Sequence, residues 1–246
     1  MHPSVPSSSR AQKGKLPMQQ CLKEQLLDLP SCGGAGHGVP KARRSVGPAD
    51  GIALPPQHDG ALVPLGLVLL SLLSCPGFRA IVQLLDWFEL PDGFALVMER
   101  PERCRDLWHL LHAEGFLPEP LARGVFRQVL QAVRHCTSHS VLHHRIKPQN
   151  ILVDLDTSEA KLIDFGIGTI LQDTLYTRMA GTQRYYPPEW IHFGCYHGQP
   201  ATIWTLGILL YQLVCRHLPF KTREDIVQGQ LFFPPWVSQV LGSCVG

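Results

Sequence analysis

The sequence has no apolar run long enough to cross a membrane. Residues 61–73 come nearest to such a span, but they include a proline and a glycine and fall well short of the roughly 20 residues that a bilayer core requires. The first 16 residues contain serine, proline and basic side chains without the apolar stretch of a signal peptide. We therefore expect no membrane partner and no secretory signal, and we predict a buried helix at residues 61–73.

The chain also has little net charge and no cysteine pair with metal-binding spacing. Lys and Arg number 22 against 20 Asp and Glu, and the formal net charge of +2 predicts no nucleic-acid partner. The eight cysteines include no C-x-x-C pair, which favours free thiols in a reducing compartment. These absences predict a cytoplasmic protein, with the nucleus as an open alternative, and we expect a monomer.

The composition and periodicity of the chain change after about residue 60. Residues 1–60 are rich in proline, glycine and serine and show little periodicity, so we predict a poorly ordered or degenerate N-terminal region. The helix at 201–215 is almost wholly apolar, which predicts burial on all sides. Strands that precede helices indicate an α+β fold with two lobes. The other predicted elements are strands at 80–89, 94–98, 151–154 and 160–163 and an amphipathic helix at 118–140 whose apolar face includes Leu121, Val125, Val129, Ala132 and Val133.

The most informative segment is His143–Asn150, which reads His-His-Arg-Ile-Lys-Pro-Gln-Asn and is followed by Asp164–Gly166, Asp-Phe-Gly. The two segments resemble the catalytic loop H-R-D-x-K-x-x-N and the metal-binding turn D-F-G of protein kinases, at the right spacing. The resemblance implies that Asp164 binds the magnesium ion that bridges the phosphates and that Asn150 holds a second magnesium ion. It also implies that Lys147 neutralises the transferred phosphoryl group.

Further segments are similar to the Pim family of serine/threonine kinases. The Glu99-Arg100-Pro101 hinge is diagnostic, because its proline removes a backbone N–H that most kinases use to bind adenine. The resemblance covers about residues 61–239 and implies ATP- and Mg²⁺-dependent phosphorylation of Ser or Thr in proteins. It implies a cleft under Glu99 to Pro101 that is floored by Leu152 and Ile163. The matching segments are Leu84–Phe94, Val97–Glu102, Ala132–Cys136, Lys161–Gly166, Tyr186–Trp190 and Trp204–Tyr211.

The departures from the family pattern fall on chemical positions. Where the family has the catalytic aspartate that accepts the substrate hydroxyl, this chain has Arg145, and a guanidinium stays protonated. The glutamate that pairs with the strand lysine corresponds to Gly66, and no G-x-G-x-x-G loop is found. Lys41 occupies about the place of that ATP-binding lysine, although the adjacent Pro40 is awkward inside a strand. We therefore predict severely impaired phosphoryl transfer.

Recognition of basic substrates is predicted to be weakened as well. The resemblance implies acidic residues that receive arginines upstream of the target Ser or Thr, and Asp106 matches one of them. A basic peptide loses about 1.5–3 kcal/mol for each charge-assisted bond that is missing. We expect protein substrates or partners with basic motifs, bound weakly. The positions where the family usually has acids but this chain has none are His109, Pro148, Gln149 and His217.

The resemblance divides the chain into a partial N-lobe at residues 61–100 and a C-lobe at residues 101–246 that is truncated at its C-terminus. The family continues through further helices after about residue 239, and these would supply an arginine partner for Glu189. We therefore predict a buried Glu189 carboxylate without its partner, and exposed apolar surface around Trp204.

Several alternatives stay open beside an impaired kinase. One is a pseudokinase, a binding or scaffold module without turnover, and another is the product of a decaying gene copy that folds poorly. The histidines at 135, 139 and 143 have the spacing of a zinc site, although the kinase resemblance explains them without metal, with His143 packed against Phe165. The resemblance further implies that Thr182 bonds the catalytic-loop lysine and aspartate, and we expect Arg145 to break or invert this tie.

Overall fold

The computed structural model describes residues 51–53, 62–90, 93–114, 117–235 and 237. Lys41, most of the predicted N-terminal region and residues 238–246 lie outside the described residues. The mixture of helices and strands confirms the predicted α+β class. The helices are α1 (Leu65–Leu73), α2 (Leu107–Glu114), α3 (Glu119–Ser138), α4 (Pro188–Phe193), α5 (Gly198–Cys215) and α6 (Arg223–Gln228). The strands are β1 (Gly51–Ala53), β2 (Leu62–Pro64), β3 (Leu84–Leu90), β4 (Gly93–Met98), β5 (Cys104–Asp106), β6 (Val141–Leu142), β7 (Ile151–Asp154), β8 (Ala160–Leu162) and β9 (Thr169–Ile170).

The strands pair in small antiparallel sheets, and β3 with β4 forms the predicted hairpin. β3 begins at Leu84, later than predicted, because residues 80–82 pair with β8 instead. The N–H of Leu162 donates to the carbonyl of Ala80 at 2.8 Å, and the N–H of Val82 donates back to the carbonyl of Leu162 at 3.1 Å. The segment before the hairpin is therefore bonded to the sheet β5–β7–β8.

Helix α1 forms most of the apolar run predicted to be a buried helix. It begins at Leu65, directly after Pro64, and the preceding β2 pairs with β1 rather than extending the helix. Val68, Leu69 and Leu73 are fully buried, so this part of the prediction is confirmed. None of the helices that the structure describes is long and apolar enough to span a bilayer.

Helix α3 supplies one wall of the main core and confirms the predicted amphipathic pattern. Its opposite face carries an ion pair, in which the guanidinium of Arg123 lies 2.5 Å from the carboxylate of Glu119. The buried face is rotated slightly from the predicted one, since Leu121 and Val133 are only half-buried. Its buried members are Ala122, Val125, Val129, Ala132 and Cys136.

Helix α5 contributes several side chains to the main apolar core, but it is not buried on all sides as predicted. Leu209 and Leu213 are fully buried, whereas the side chain of Ile203 is 67% exposed. Next to it, the indole of Trp204 stacks on Phe220 with ring centroids 5.7 Å apart. The prediction is wrong at Ile203 because the high apolar content of the helix hides which of its sides faces solvent. The exposed side chain of Ile203 leaves apolar surface beside Trp204.

Candidate active site

The loop between β6 and β7 carries the kinase-like motif, and His143 anchors it. The Nδ1 atom of His143 accepts a hydrogen bond from the N–H of Arg145 at 3.1 Å. Its Nε2 therefore carries the proton and donates to the carbonyl of Ile163 at 2.9 Å. The ring also packs edge-on against Phe165, with centroids 4.6 Å apart, as predicted. These contacts fix the catalytic loop against the segment that follows β8.

Burial lowers the pKa of His143 to about 4, and this makes the fold sensitive to acid. Protonation of Nδ1 would break the bond from Arg145. The unfolded chain takes up this proton near pH 6.5, so it binds more protons than the folded chain between pH 6.5 and 4. Stability is therefore fully present above pH 6.5 and falls as the pH drops toward 4. For a shift of this size the loss amounts to about 3 kcal/mol.

We expect urea unfolding at pH 7, 6 and 5 to show this loss directly. In the variant His143→Gln, the number of protons taken up on unfolding near pH 5 should fall by about one, because one buried imidazole is removed. The matched control is His217→Gln, because His217 lies exposed. A pH dependence that is unchanged in His143→Gln would contradict the assignment.

Arg145 and Asp164 form an ion pair at the centre of the site. The Nη1 atom of Arg145 lies 2.7 Å from Oδ2 of Asp164, and the two side chains keep 18% and 34% of their surfaces exposed. The other carboxylate oxygen of Asp164 accepts from the N–H of Gly166 at 3.3 Å. The side-chain nitrogen of Asn150 donates to the carbonyl of Arg145 at 2.9 Å. The structure thus brings together the residues predicted for catalysis and metal binding, but it bonds them to one another.

The backbone and the guanidinium both bear marks of constraint at this ion pair. Asp164 has φ +67°, a left-handed conformation that is uncommon for a residue other than glycine. The Nε atom of Arg145 is buried and has no hydrogen-bond partner. An unpartnered buried donor costs about 1–3 kcal/mol. Burial of the guanidinium of Arg145 therefore carries a local cost.

Lys147 lies beside this ion pair. Its Nζ lies 3.4 Å from the hydroxyl oxygen of Thr182, so the tie between these two residues is retained rather than lost. Burial lowers the pKa of Lys147, and the neighbouring Arg145 lowers it further, while Asp164 acts in the opposite direction. The site thus brings two cations, Arg145 and Lys147, close to one carboxylate, that of Asp164.

Asp164 and Asn150 do not fit magnesium in this arrangement. A guanidinium contacts one oxygen, Oδ2, of the carboxylate that the resemblance assigns to the metal. At an effective dielectric constant of about 20, two unit charges about 4 Å apart interact by about 4 kcal/mol, and the double charge of Mg²⁺ doubles the repulsion from Arg145. Asn150 is buried, and its amide nitrogen is bonded to the backbone of Arg145. A magnesium ion at Asp164 would therefore be repelled by Arg145 at close range.

Four of the residues predicted to hold the adenine ring lie within the described part of the chain. Leu152 on β7 and Ile163, which follows β8, are both half-buried and so leave apolar surface accessible. Pro101 stands in the hinge without an N–H to offer. The carboxylate of Glu99 is not free, because it accepts hydrogen bonds from the N–H of Gln83 and from Lys161, both at 2.9 Å. The polar contacts of a nucleobase at this hinge would therefore have to come from the backbone.

Lys161 is a site residue that sequence reasoning missed. Its ammonium is bonded to the carboxylate of Glu99 and to the carbonyl of Arg79, both at 2.9 Å, and its side chain is only 8% exposed. A signal existed in the sequence, since a lysine between Ala160 and Leu162 in a buried strand requires a partner. The identity of that partner, 62 residues upstream, was not predictable from spacing.

Helix α1 lies directly against the Asp-Phe-Gly turn at Gly66. A Cβ atom at Gly66 would lie 3.0 Å from the carbonyl oxygen of Phe165 and 3.2 Å from the Cα of Gly166. The position where the family has a glutamate is therefore filled by the backbone of the turn. The close approach requires a residue without a side chain.

Asp106 is also engaged within the chain. One oxygen of its carboxylate accepts the N–H of His109 at 2.9 Å, and the other lies 2.5 Å from Nδ1 of the same histidine. An arginine of a peptide would have to compete with His109 for this carboxylate. Glu189, predicted to be buried, is only half-buried, and the described part of the chain provides no ion-pair partner for it.

The histidines with zinc-like spacing have contacts of their own. The ring of His135 stacks on Phe78 with centroids 3.9 Å apart, and its Nε2 lies 3.2 Å from the carbonyl oxygen of Leu73. The Nδ1 atom of His139 lies 2.8 Å from the carbonyl oxygen of His135. Within the described ranges, no group of three or more His, Cys, Asp or Glu side chains is arranged to hold a metal ion.

Comparison with known proteins agrees with the motifs. The family model for the protein kinase domain matches residues 69–233. The chain is 44% identical over 182 residues to the serine/threonine-protein kinase pim-2 of Danio rerio, covering 72% of this chain and 59% of that protein. It is 40% identical over 176 residues to the serine/threonine-protein kinase prk-2 of Caenorhabditis elegans, covering 72% of this chain and 40% of that protein.

A more distant relative is the PAS domain-containing serine/threonine-protein kinase of Mus musculus, which is 36% identical over 182 residues, covering 73% of this chain and 13% of that protein. The chain thus spans less than two thirds of the length of each of these relatives. The matched region nevertheless includes the catalytic loop, the Asp-Phe-Gly turn and helix α5. The chain therefore belongs to the protein kinase domain family and, within it, to the Pim-type serine/threonine kinases.

Proposed function

We propose that this chain is a Pim-type kinase domain in which phosphoryl transfer from ATP to Ser or Thr of proteins is severely impaired. The observation that carries the proposal is the 2.7 Å contact between the guanidinium of Arg145 and the carboxylate of Asp164. One substitution thereby removes two functions, because the residue at the position of the base cannot accept a proton and it also occupies the carboxylate that the family uses for metal.

Three groups still support a nucleotide in the cleft. The half-buried surfaces of Leu152 and Ile163 would hold the base, and the ammonium of Lys147 would contact the phosphate that is transferred. The contact of Lys147 with Thr182 orients this ammonium. Magnesium, where a kinase binds it, neutralises the phosphate charge, and here Arg145 would oppose a magnesium ion at Asp164. The chain can orient ATP, but nothing at the position of Arg145 takes the proton of an acceptor hydroxyl.

The second candidate is a binding module that holds nucleotide or a protein partner without turnover. The cations Arg145 and Lys147 and the half-buried apolar residues Leu152 and Ile163 favour this candidate. Binding through them requires no catalytic base. Basic peptides would bind weakly to such a module, because Asp106 is already bonded to His109. The five described cysteines have free thiols, which supports placing the protein in the cytoplasm, with the nucleus as the alternative. We propose that it acts there as a monomer.

The test is a transfer assay with purified protein, labelled ATP, magnesium and an arginine-rich peptide. Ordinary protein kinases turn over at about 1–100 per second, and we expect this chain to fall at least about 10²-fold below them. The variant Asp164→Ala measures the background from contaminating kinases. Turnover within the ordinary range that disappears in Asp164→Ala would overturn the proposal. A shift of the melting temperature with ATP, without turnover, would favour the binding module.

A further inference from the structure

Arg145, Lys147 and Asp164 form a group with an excess positive charge. Arg145 and Asp164 neutralise each other across 2.7 Å, which leaves the ammonium of Lys147 uncompensated in this group. The contact of Lys147 with Thr182 is a long one at 3.4 Å, and its partner is an uncharged hydroxyl. Burial and Arg145 both lower the pKa of Lys147, so an anion bound beside Lys147 would reduce the repulsion between the two cations.

The guanidinium of Arg145 bonds the carboxylate that the family uses to hold its metal ion. It is a fixed cation on Asp164, held in a partly buried position by the chain itself. Asn150 bonds the backbone of Arg145 and helps to hold it there. Arginine recognises phosphate oxygens through several N–H groups, and it needs no exchangeable ion to do so.

We infer that this cleft is a metal-independent site for the polyphosphate of a nucleotide, with Arg145 as the built-in counter-cation in place of magnesium. The inference rests on the proposed function, since it deepens the account of the same cleft. It predicts a reversal of the usual role of Asp164. In a magnesium-dependent site this carboxylate holds the metal that bridges the phosphates, whereas here it competes with the phosphate for Arg145.

The test is calorimetric titration of the full chain with ATP, once in EDTA and once in excess MgCl₂. We expect binding in EDTA, with no gain of affinity from magnesium. The variant Asp164→Asn should bind ATP in EDTA at least as tightly as the unmodified chain. The variant Arg145→Asn should bind ATP in EDTA at least about tenfold more weakly, because a charge-assisted contact is lost. It should also gain affinity when magnesium is added, because Asp164 is then free.

The matched control is Arg103→Ala, which removes a guanidinium from an exposed ion pair with Asp156 that has the same 2.7 Å contact. Its ATP affinity should equal that of the unmodified chain, and circular dichroism of each variant confirms its fold. Binding that requires magnesium, loss of binding in Asp164→Asn, or absence of ATP binding under both conditions would each overturn the inference. Turnover measured in the same samples tests the proposed function separately, because impaired transfer does not depend on how the phosphate is held.

Discussion

Replacing Arg145 with aspartate is expected to raise phosphoryl transfer by about 10²-fold over the unmodified chain. A positioned general base contributes about 10²–10⁴-fold, and the lower end applies here because other groups of the family are absent. The substitution also removes the guanidinium that lies 2.7 Å from the carboxylate of Asp164. The rate should nevertheless stay well below that of ordinary kinases, because Gly66 supplies no carboxylate. The measurement is the transfer of labelled phosphate at saturating ATP and magnesium.

Arg145→Asn separates the two effects of this change. The amide has nearly the shape of aspartate and also frees Asp164, but it cannot accept the proton of a hydroxyl. We expect Arg145→Asn to recover much less activity than Arg145→Asp. Equal recovery in the two variants would show that release of Asp164, rather than the missing base, limits the reaction. A failure of both to exceed the background of Asp164→Ala would contradict the predicted gain.

Introducing a side chain at Gly66 is expected to destabilise the fold. The Cβ of alanine would lie 3.0 Å from the carbonyl oxygen of Phe165, and backbone atoms on both sides cannot easily move. Overpacking of this kind costs about 1–3 kcal/mol, which exceeds the gain of up to about 1 kcal/mol for replacing glycine in a helix. Gly66→Glu, which restores the family residue, should cost more, because it adds a charge next to a carbonyl. Urea unfolding measures both variants.

Gly124→Ala is the matched control for Gly66→Ala. Gly124 lies within helix α3, and a Cβ atom there would meet nothing within 4 Å. We expect this variant to gain about 0.5–1 kcal/mol of stability, so the two substitutions should have opposite signs. A gain of stability in Gly66→Ala would mean that α1 moves away from the Asp-Phe-Gly turn at little cost, and that repair of the family glutamate is feasible.

Local pattern predicted the fold class, and motif spacing predicted the family. The hairpin of β3 and β4 followed from two apolar runs around a turn, and α3 followed from its periodicity. The spacing of Lys147, Asn150 and Asp164 identified the family that the comparisons show. Elements with a strong local signal were predicted well because the periodic pattern of side chains directly reflects burial.

The contacts within the site depended on atoms that are far apart in the sequence. The residue type of Arg145 indicated a missing base, but only the fold shows that its guanidinium reaches Asp164. Gly66 was recognised as a lost glutamate, whereas its close approach to Phe165 is a matter of packing. The start of β3 was misplaced because pairing with β8 overrode the local propensity of residues 80–82. In each case the missing information concerns a tertiary partner, which a single sequence does not specify.

The buried ammonium of Lys161 has a consequence for how the molecule denatures. Lys161 lies on β8, and its ammonium joins Glu99, which follows β4, and the backbone of Arg79, which precedes β3, to the sheet β5–β7–β8. One continuous cluster of apolar side chains includes Leu69 of α1 as well as Leu209 of α5. The hairpin region cannot separate from the rest of the fold without leaving Lys161 and Glu99 unpaired and exposing this cluster. We therefore expect the whole fold to unfold cooperatively, in one heat-absorption peak.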